Sequence, residues 1–171
     1  QYITIKHQIN GEEVRRAYSI CSMKSEGITI GVKKVEQGKM STFLTTTLKK
    51  GDVLEVMPPS GNFTMKAKSN HIVGICAGSG ITPILSILKT ELENEHPTKF
   101  TLIYGNKTED STMFRDELKI LQANYPEYLK IYWAYSREQV SGKIHSRIDK
   151  NTLQQIFNLS PSLLSADTYF I

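Results

Sequence analysis

Apolar and polar residues alternate along the first third of the chain, which predicts β-strands with one buried face. Residues 2–7 and 14–21 carry this alternation, and an Asn-Gly pair between them is a signal for a hairpin turn. Residues 28–35 and 53–57 predict two further strands. The beginning of the chain is therefore predicted to be mostly antiparallel β-structure.

One short helix is predicted within this β-rich part, from Ser41 to Leu48. Serine is favoured at the residue that precedes the first helical turn, because its hydroxyl accepts a hydrogen bond from a free backbone N–H. Lys49 and Lys50 then fall in the last turn, and Gly51 follows directly after the helix end.

From residue 72 onward, short and almost continuous apolar runs alternate with helical segments. Residues 72–77 are typical of a parallel strand that is covered on both faces. Apolar residues then recur at helical spacing, at Ile81, Leu85, Leu88 and Leu92. The later elements are predicted strands at 100–104, 131–135 and 169–171 and predicted helices at 113–122 and 153–157. This order predicts a doubly wound α/β parallel sheet. We expect two domains, residues 1–68 and residues 69–171.

The composition is that of an ordinary globular protein, with 39% hydrophobic and 22% charged residues among 171. No apolar run reaches the length of a membrane span, and no signal-like leader opens the chain. The two cysteines and four histidines are scattered, without the spacing of metal ligands. We therefore expect a soluble, cytoplasmic protein with no membrane partner and no metal.

The formal net charge is +4, and the basic excess lies in the first half of the chain. Nucleic-acid surfaces usually interleave such charge with exposed aromatic residues, whereas here lysines occur in pairs beside predicted turns. We expect no nucleic-acid partner. Most of these lysines are interpreted as solvated, and an anionic ligand such as a pyrophosphate explains a subset.

The segment GSGITP, residues 78–83, follows a predicted buried strand and opens a predicted helix. Parallel α/β units bind phosphate at this place, because glycines let the anion approach and the free N–H groups and helix dipole attract it. The same short motif also forms ordinary tight turns, so its position between strand and helix carries the nucleotide interpretation. Pro83 suits the first helical turn.

The residues at the ends of the next two predicted strands indicate which nucleotide the site binds. A site for NAD normally has an acidic residue after the second strand, where this chain reads YGNK. After the third strand, Ser136 and Arg137 offer a hydroxyl and a guanidinium that suit a 2′-phosphate. These residues favour NADPH over NADH. The alternative is a surface loop in which Arg137 pairs with Glu138.

In the β-rich part, Arg16 and Tyr18 share one face of a predicted strand, while Ala17 and Ser19 share the other. A tyrosine ring can stack on a flat ligand, and an arginine can bind a phosphate through two hydrogen bonds. This composition is common in strands, so a structural role for Tyr18 is the alternative. Residues 38–42 open a predicted helix whose N-terminus can hold an anion or be capped.

Six motifs follow one another in the order RAYS, GKMSTFL, PPSGNF, AGSGITP, YGNKTEDSTMFRDEL and YSRE. This series resembles the ferredoxin–NADP reductase superfamily, particularly the reductase components of bacterial oxygenases such as phenylacetyl-CoA epoxidases. The resemblance covers nearly the whole chain. It implies an antiparallel FAD-binding β-barrel, partial in this chain, followed by an NADP-binding α/β domain.

The resemblance also implies roles for individual residues. Arg16 would contact the FAD pyrophosphate, Tyr18 would stack on the isoalloxazine, and Ser19 would form a hydrogen bond near its N5 atom. Tyr18 and Ser19 are therefore the predicted catalytic residues. Further FAD contacts are expected from Val32, Lys33, Lys39, Met40, Ser41 and Thr42. The NADP site is expected at Gly78, Gly80, Thr82, Pro83, Ser136 and Arg137.

The implied reaction is hydride transfer from NADPH to FAD, followed by release of single electrons to an iron–sulfur centre or to a redox partner protein. That partner would be an oxygenase component or a ferredoxin. One alternative is a reductase of the same superfamily for a flavohaemoglobin-like or dioxygenase system. The other is a non-redox regulatory module that binds nucleotide without flavin.

The chain lacks segments that members of this superfamily normally carry. They begin with further barrel strands and continue beyond residue 171 into a Cys-Gly-Pro segment beside the nicotinamide. The oxygenase reductases also carry a ferredoxin domain with clustered cysteines. We therefore expect this chain to be a piece of a longer protein. An iron–sulfur cluster would have to lie in a domain outside this chain.

Overall fold

A three-stranded antiparallel sheet forms the first part of the fold. In the computed structural model, which describes residues 1–170, β1 (Tyr2–Ile9) pairs along its whole length with β2 (Glu12–Ser19). A two-residue strand, β3 (Glu55–Val56), pairs with the other edge of β1. The resulting strand order is β2-β1-β3. Three strands do not close a barrel, which agrees with the prediction of a partial antiparallel barrel.

The predicted hairpin between β1 and β2 is confirmed. Its turn residues Asn10 and Gly11 have φ angles of 52° and 79°, the left-handed conformation that two-residue hairpins require. One face of the hairpin is apolar, and Ile3, Ile5 and Val14 are buried there. The opening of the chain therefore folds as its alternating pattern predicts.

The predicted third strand at residues 28–35 is wrong. Only a single bridge, between Ile20 and Ile30, joins this segment to the hairpin, and a short 3₁₀ turn at Lys24–Glu26 precedes it. The segment instead turns towards the second part of the chain, where Gly31 lies close to Thr82 and Lys33 donates a hydrogen bond to Ser111. Because these tertiary contacts hold the segment, it does not pair with the hairpin as a strand, although its apolar and polar residues alternate.

The predicted helix cap at Ser41 is also wrong. Helix α1 (Lys39–Thr42) begins two residues earlier, after Gly38, and continues as a π-helical turn at Phe43–Thr47. The Ser41 hydroxyl donates a hydrogen bond to the Gly38 carbonyl at 3.2 Å and accepts one from the Val35 N–H at 3.1 Å. Ser41 thus closes the loop before the helix rather than capping it.

A four-stranded parallel sheet forms the second part, as the sequence predicts. Its strands are β4 (His71–Ala77), β5 (Lys99–Asn106), β6 (Leu129–Tyr135) and β7 (Thr168–Phe170). They lie in the order β6-β5-β4-β7, and all neighbours are parallel. The predicted end of the last strand, Ile171, lies outside the described residues.

Helices cover both faces of this sheet, which confirms the doubly wound arrangement. Helices α2 (Ile81–Leu92) and α3 (Arg115–Asn124) pack on one face, and α4 (Lys150–Leu159) packs on the other with a 3₁₀ turn at Pro161–Ser165. Among residues 1–170, no helix has both the length and the apolar character that a bilayer crossing demands.

The largest core cluster lies between α2, α3 and one face of the parallel sheet, and the other face has a smaller core under α4. Successive residues of β4 serve both cores, because Ile72 points to the first and Val73 to the second. Cys21 of the β-rich part is buried within the first core. An added Cβ at Gly74 would lie 3.0 Å from both Ile84 and Phe100, so α2 packs closely over β4.

Replacing Leu88 by alanine should lower the free energy of unfolding by about 2–5 kcal/mol, because a fully buried side chain of α2 leaves a cavity. Leu159→Ala is the matched control, since the Leu159 side chain is 78% exposed, and its effect should stay within about 0.5 kcal/mol. Urea unfolding of both variants measures the difference. Equal destabilisation by the two substitutions would contradict this description of the core.

Candidate functional site

A cleft with a volume of about 1040 Å³ lies between the antiparallel sheet and the carboxyl edge of the parallel sheet. Pockets for small molecules usually measure about 300–1,000 Å³, so this cleft admits a large and extended ligand. Its walls come from β2, from residues 31–41, from the turn after β4 and from Lys107 after β5. Both parts of the chain therefore contribute to one cleft.

Most residues that the sequence assigns to cofactor binding line this cleft. They are Arg16, Tyr18, Ser19, Lys33, Lys39, Met40, Ser41, Gly80, Thr82 and Pro83. Five predicted residues are not on its wall: Val32, Thr42, Gly78, Ser136 and Arg137. The structure thus brings residues from distant parts of the sequence together. Their individual roles remain predictions.

The predicted catalytic strand presents Arg16 and Tyr18 on one face. They pair with Ile5 and Ile3 across the hairpin, and residues directly opposite in an antiparallel pair share a face. Tyr18 is partly buried against the apolar cluster, and this burial raises the pKa of its phenol. Packing against this cluster therefore restrains the Tyr18 side chain, while the residue still lines the cleft.

The charge of the cleft wall is mostly positive. Its basic residues are Arg15, Arg16, Lys33, Lys34, Lys39 and Lys107, and its acidic residues are Glu12, Glu13 and Glu36. Glu12 contacts Lys39, and Glu13 accepts a hydrogen bond from Arg15 at 2.8 Å. Two of the three carboxylates are thus already paired, and the surplus positive charge attracts an anionic ligand.

The loop before α1 is closely packed. An added Cβ at Gly38 would lie 2.5 Å from the Ser41 hydroxyl oxygen, so this position requires glycine. The Met40 side chain is 2% exposed and packs in the hairpin core, so only its backbone can contact a ligand. Lys39 is held beside β2 by Glu12 and reaches a phosphate only by leaving that carboxylate.

The glycine turn after β4 is held from two sides. Gly78 has a φ of 54°, and the Tyr104 hydroxyl donates a hydrogen bond to its carbonyl at 2.8 Å. The Thr82 hydroxyl donates to the Ser79 carbonyl at 2.9 Å. At Gly80 the nearest atom to an added Cβ would be 3.6 Å away, in Cys76. Thr82 therefore shapes the turn through its hydroxyl, and a methyl group added at position 80 would make ordinary van der Waals contact with Cys76.

The loops after β5 and β6 are joined by hydrogen bonds. The N–H of Ser136 donates to the Asn106 carbonyl, and that of Arg137 to the Lys107 carbonyl, each at 2.9 Å. The Glu138 carboxylate accepts from the Glu109 N–H at 2.7 Å rather than pairing with the guanidinium of Arg137. The exposed Arg137 thus lies beside Lys107, which lines the cleft.

Several residues of this region were not identified by the sequence patterns. Gly31 and Lys107 line the cleft, and Tyr104 anchors the glycine turn. Asn106 is 8% exposed, and neither polar atom of its side chain has a partner among the described residues. The signal that could have found Tyr104 and Asn106 is the presence of polar groups at the end of a predicted buried strand.

Contacts between the two parts of the chain fix the width of the cleft. Lys33 donates to the Ser111 carbonyl at 2.8 Å, and Ser86 donates to the Ser22 carbonyl at the same distance. An added Cβ at Gly31 would lie 2.7 Å from the Phe114 ring and 2.9 Å from the Thr82 methyl group.

An ion-pair cluster joins the same two parts. The Lys89 ammonium lies 2.7 Å from a carboxylate oxygen of Glu26 and 3.2 Å from one of Glu117. Glu26 belongs to the β-rich part, whereas Lys89 and Glu117 belong to α2 and α3. This lysine therefore holds a carboxylate from each part of the chain.

Two family models match the chain along most of its length. The oxidoreductase FAD-binding domain matches residues 1–65, and the oxidoreductase NAD-binding domain matches residues 75–170. The chain belongs to this family of FAD- and NAD-binding oxidoreductases. The resemblance to ferredoxin–NADP reductases is thereby confirmed. The division predicted between residues 68 and 69 stays a prediction.

Individual relatives agree with this assignment. The chain is 40% identical over 174 residues to one component of the 1,2-phenylacetyl-CoA epoxidase of Escherichia coli, covering 99% of this chain and 48% of that protein. It is 30% identical over 172 residues to a flavohemoprotein of a Burkholderia species, covering 100% of this chain and 43% of that protein. The chain thus spans about half the length of the curated relatives it matches.

A solved structure confirms the fold. Ferredoxin-NADP+ reductase from Plasmodium falciparum, solved with 2′P-AMP, superposes with a TM-score of 0.78 and 23% sequence identity. The match covers 99% of this chain and 72% of that chain. An antiparallel sheet followed by a parallel α/β sheet is therefore the shared architecture.

Gly31→Ala should lower the free energy of unfolding by about 1–3 kcal/mol, because the added methyl group overlaps the Phe114 ring. The double variant with Phe114→Leu should lose less than the sum of the two single variants, since a smaller side chain makes room. Urea unfolding of the three variants measures this coupling. Strict additivity would show that the two residues do not meet.

Proposed function

We propose that this chain forms the flavin and nicotinamide part of a reductase that passes electrons from NADPH through FAD to a protein acceptor. The observation that carries the proposal is the single cleft, which Arg16 and Tyr18 line from one side and the turn at Gly80 from the other. A flavin and a nicotinamide must touch for electrons to pass, and one shared cleft supports that contact.

The residues of the cleft fit FAD. Its volume suits an extended dinucleotide, and the surplus lysines and arginines on its wall supply the positive charge that a pyrophosphate requires. When bound, FAD supplies the chemistry by accepting two electrons from a reduced nicotinamide and releasing them one at a time. The protein has to bind, orient and shield the reacting rings.

The chain's own residues have distinct tasks in this proposal. Arg16 and Lys33, which both line the cleft, neutralise the pyrophosphate of FAD. The ring of Tyr18 holds the flavin flat, and Ser19 next to it offers a hydroxyl hydrogen bond. On the opposite wall, Gly80 and Pro83 leave room for the nicotinamide. Hydride transfer needs no acid or base from the protein, so binding and orientation are the main contributions.

NADPH is the proposed electron donor. Ser136 and Arg137 lie at the carboxyl edge of the parallel sheet, and the backbone pairing with residue 107 places a second cation beside them. No carboxylate stands at the end of β5 on the cleft wall within the described residues, where one would favour the ribose hydroxyls of NADH. The local charge therefore supports a 2′-phosphate.

The proposed acceptor is an oxygenase component or a ferredoxin. Two kinds of relatives support this proposal: the epoxidase component, and a 3-ketosteroid-9-alpha-monooxygenase ferredoxin reductase component of Rhodococcus rhodochrous. No group of three or more His, Cys, Asp or Glu side chains among residues 1–170 is arranged to hold a metal ion. An iron–sulfur centre that receives the electrons would thus belong to another domain or protein.

The similarity to flavohemoproteins favours a second candidate, a reductase that serves a haem acceptor. Both candidates use the same cleft and differ only in the partner. The proposed location is the cytoplasm. Both cysteines are free thiols, as is usual in a reducing compartment, and this supports the location.

The protein should bind FAD and become yellow, and Arg16→Ala should weaken FAD binding about tenfold or more, because a charged hydrogen bond to the pyrophosphate is lost. Arg147→Ala is the matched control, since Arg147 is exposed and lies outside the cleft. Titration of flavin fluorescence measures both. A protein that cannot be loaded with FAD would favour the non-redox nucleotide-binding module.

Arg137→Ala should raise the KM for NADPH about tenfold and leave the KM for NADH nearly unchanged, because only NADPH carries the 2′-phosphate. Steady-state kinetics with each nucleotide and an artificial electron acceptor measures the ratio. The Arg147→Ala variant again serves as the control. An equal rise for both nucleotides would rule out the assignment of Arg137 to the 2′-phosphate.

A further inference from the structure

We propose that Tyr104 is a positioning residue for dinucleotide binding, because its hydroxyl orients the peptide between Gly78 and Ser79 so that the Ser79 N–H faces the cleft. This inference rests on the proposed function, since it assigns that N–H to the pyrophosphate of the nicotinamide dinucleotide. It adds a buried residue of β5 to a site most of whose predicted members line the cleft.

The contact that carries the inference is short and well shielded. Tyr104 is fully buried in the main core, and its hydroxyl lies 2.8 Å from the Gly78 carbonyl oxygen. The Met113 carbonyl oxygen lies farther away, at 3.3 Å. A phenol has one proton to donate, so the shorter contact takes it. Burial raises the pKa of this phenol, which keeps the donor protonated.

The orientation of the N–H groups follows from the planarity of the peptide bond. No cis peptide bond occurs among the described residues, and in a planar trans peptide the N–H points opposite to the carbonyl. Because the Gly78 carbonyl is drawn towards the core by Tyr104, the Ser79 N–H points away from the core. The hydroxyl of Thr82 holds the next carbonyl, that of Ser79, and so sets the Gly80 N–H.

Ser79 and Gly80 are the residues of this turn that line the cleft. The Ser79 N–H, with its fixed direction, forms a binding place for a phosphate, which the start of the twelve-residue helix α2 reinforces. Residues 78–80 form a 3₁₀ turn, and the hydroxyls of Tyr104 and Thr82 add side-chain hydrogen bonds that hold two of its carbonyls.

A phenylalanine would fill the same place in the core without burying a polar group. Burying a hydroxyl costs free energy unless it makes a hydrogen bond, and here its closest partner is the turn. The hydroxyl is therefore explained by its contact with Gly78 rather than by packing. A purely structural role would make its loss visible in stability and not in dinucleotide binding.

The pyrophosphate is common to NADPH and NADH, so the inference predicts a loss that does not distinguish them. Tyr104→Phe should raise the Kd of NADP+ and of NAD+ by the same factor, about tenfold, with FAD binding unchanged. In steady state the KM should rise for both nucleotides while kcat changes little. This behaviour differs from that of Arg137→Ala, which should affect only the phosphorylated form.

Calorimetric titration of the flavin-loaded protein with NADP+ and with NAD+ measures the two Kd values. The matched control is Tyr132→Phe, which removes a tyrosine hydroxyl that contacts Ser160 and lies outside the cleft. It should bind both dinucleotides as the wild type does. Thermal melting of both variants checks that they are folded.

A second pair of variants tests the same idea independently of how well Tyr104→Phe folds. Thr82→Val removes the hydroxyl that holds the Ser79 carbonyl, and Thr82→Ser retains it. The inference requires weaker binding of both dinucleotides in the first and nearly wild-type binding in the second. Identical binding by the two variants would overturn it.

The outcomes separate the inference from the proposed function. If the wild type binds both dinucleotides and Tyr104→Phe binds them equally well, the inference is wrong and the proposed function stands. A loss confined to NADP+, or one shared with FAD, would also overturn the inference. A wild type that binds neither dinucleotide would overturn both.

Discussion

The close approach of Gly31 to helix α2 and to Phe114 is the contact on which the cleft depends. A Cβ added at Gly31 would lie 2.7 Å from the Phe114 ring and 2.9 Å from the Thr82 methyl group, so the two parts of the chain pack there with no room for a side chain. The largely buried side chain of Lys89 holds the same junction through carboxylates from both sides. Because the parts cannot slide past one another without losing these contacts, residues of both remain aligned on one cleft.

In the cleft between the two parts of the chain, hydrogen bonds orient the polar groups and leave a surplus of positive charge for a ligand. Glu12 and Glu138 are occupied by Lys39 and by a backbone N–H, so neither neutralises the cations that remain on the cleft. The carbonyls of the glycine turn are likewise engaged by hydroxyls. The site therefore presents donors and a surplus of positive charge to its ligand, whereas the carboxylates of Glu12 and Glu13 and the carbonyls of the glycine turn are used internally.

The sequence predicts the regular helices and strands of this fold well, because the spacing of apolar residues shows which side of each element is buried. The parallel strands, the helix at Ile81–Leu92 and the first hairpin are confirmed for this reason. Residues 28–35 show the same alternation but are held by the other part of the chain, which no local pattern reveals. Ser41 has the chemistry of a cap, and its loop geometry gives it another partner.

The residues of the candidate site also differ in whether a local sequence pattern can identify them. Motifs identify residues such as Arg16 and Gly80 that line the cleft, whereas Gly31 and Tyr104 act through contacts made only in the folded state. The hydrophobic core also depends on contacts between the two parts of the chain, since Cys21 of the β-rich part is buried in the core beneath α2. Natural or engineered exchange of one half between relatives would therefore have to preserve a matching side chain there.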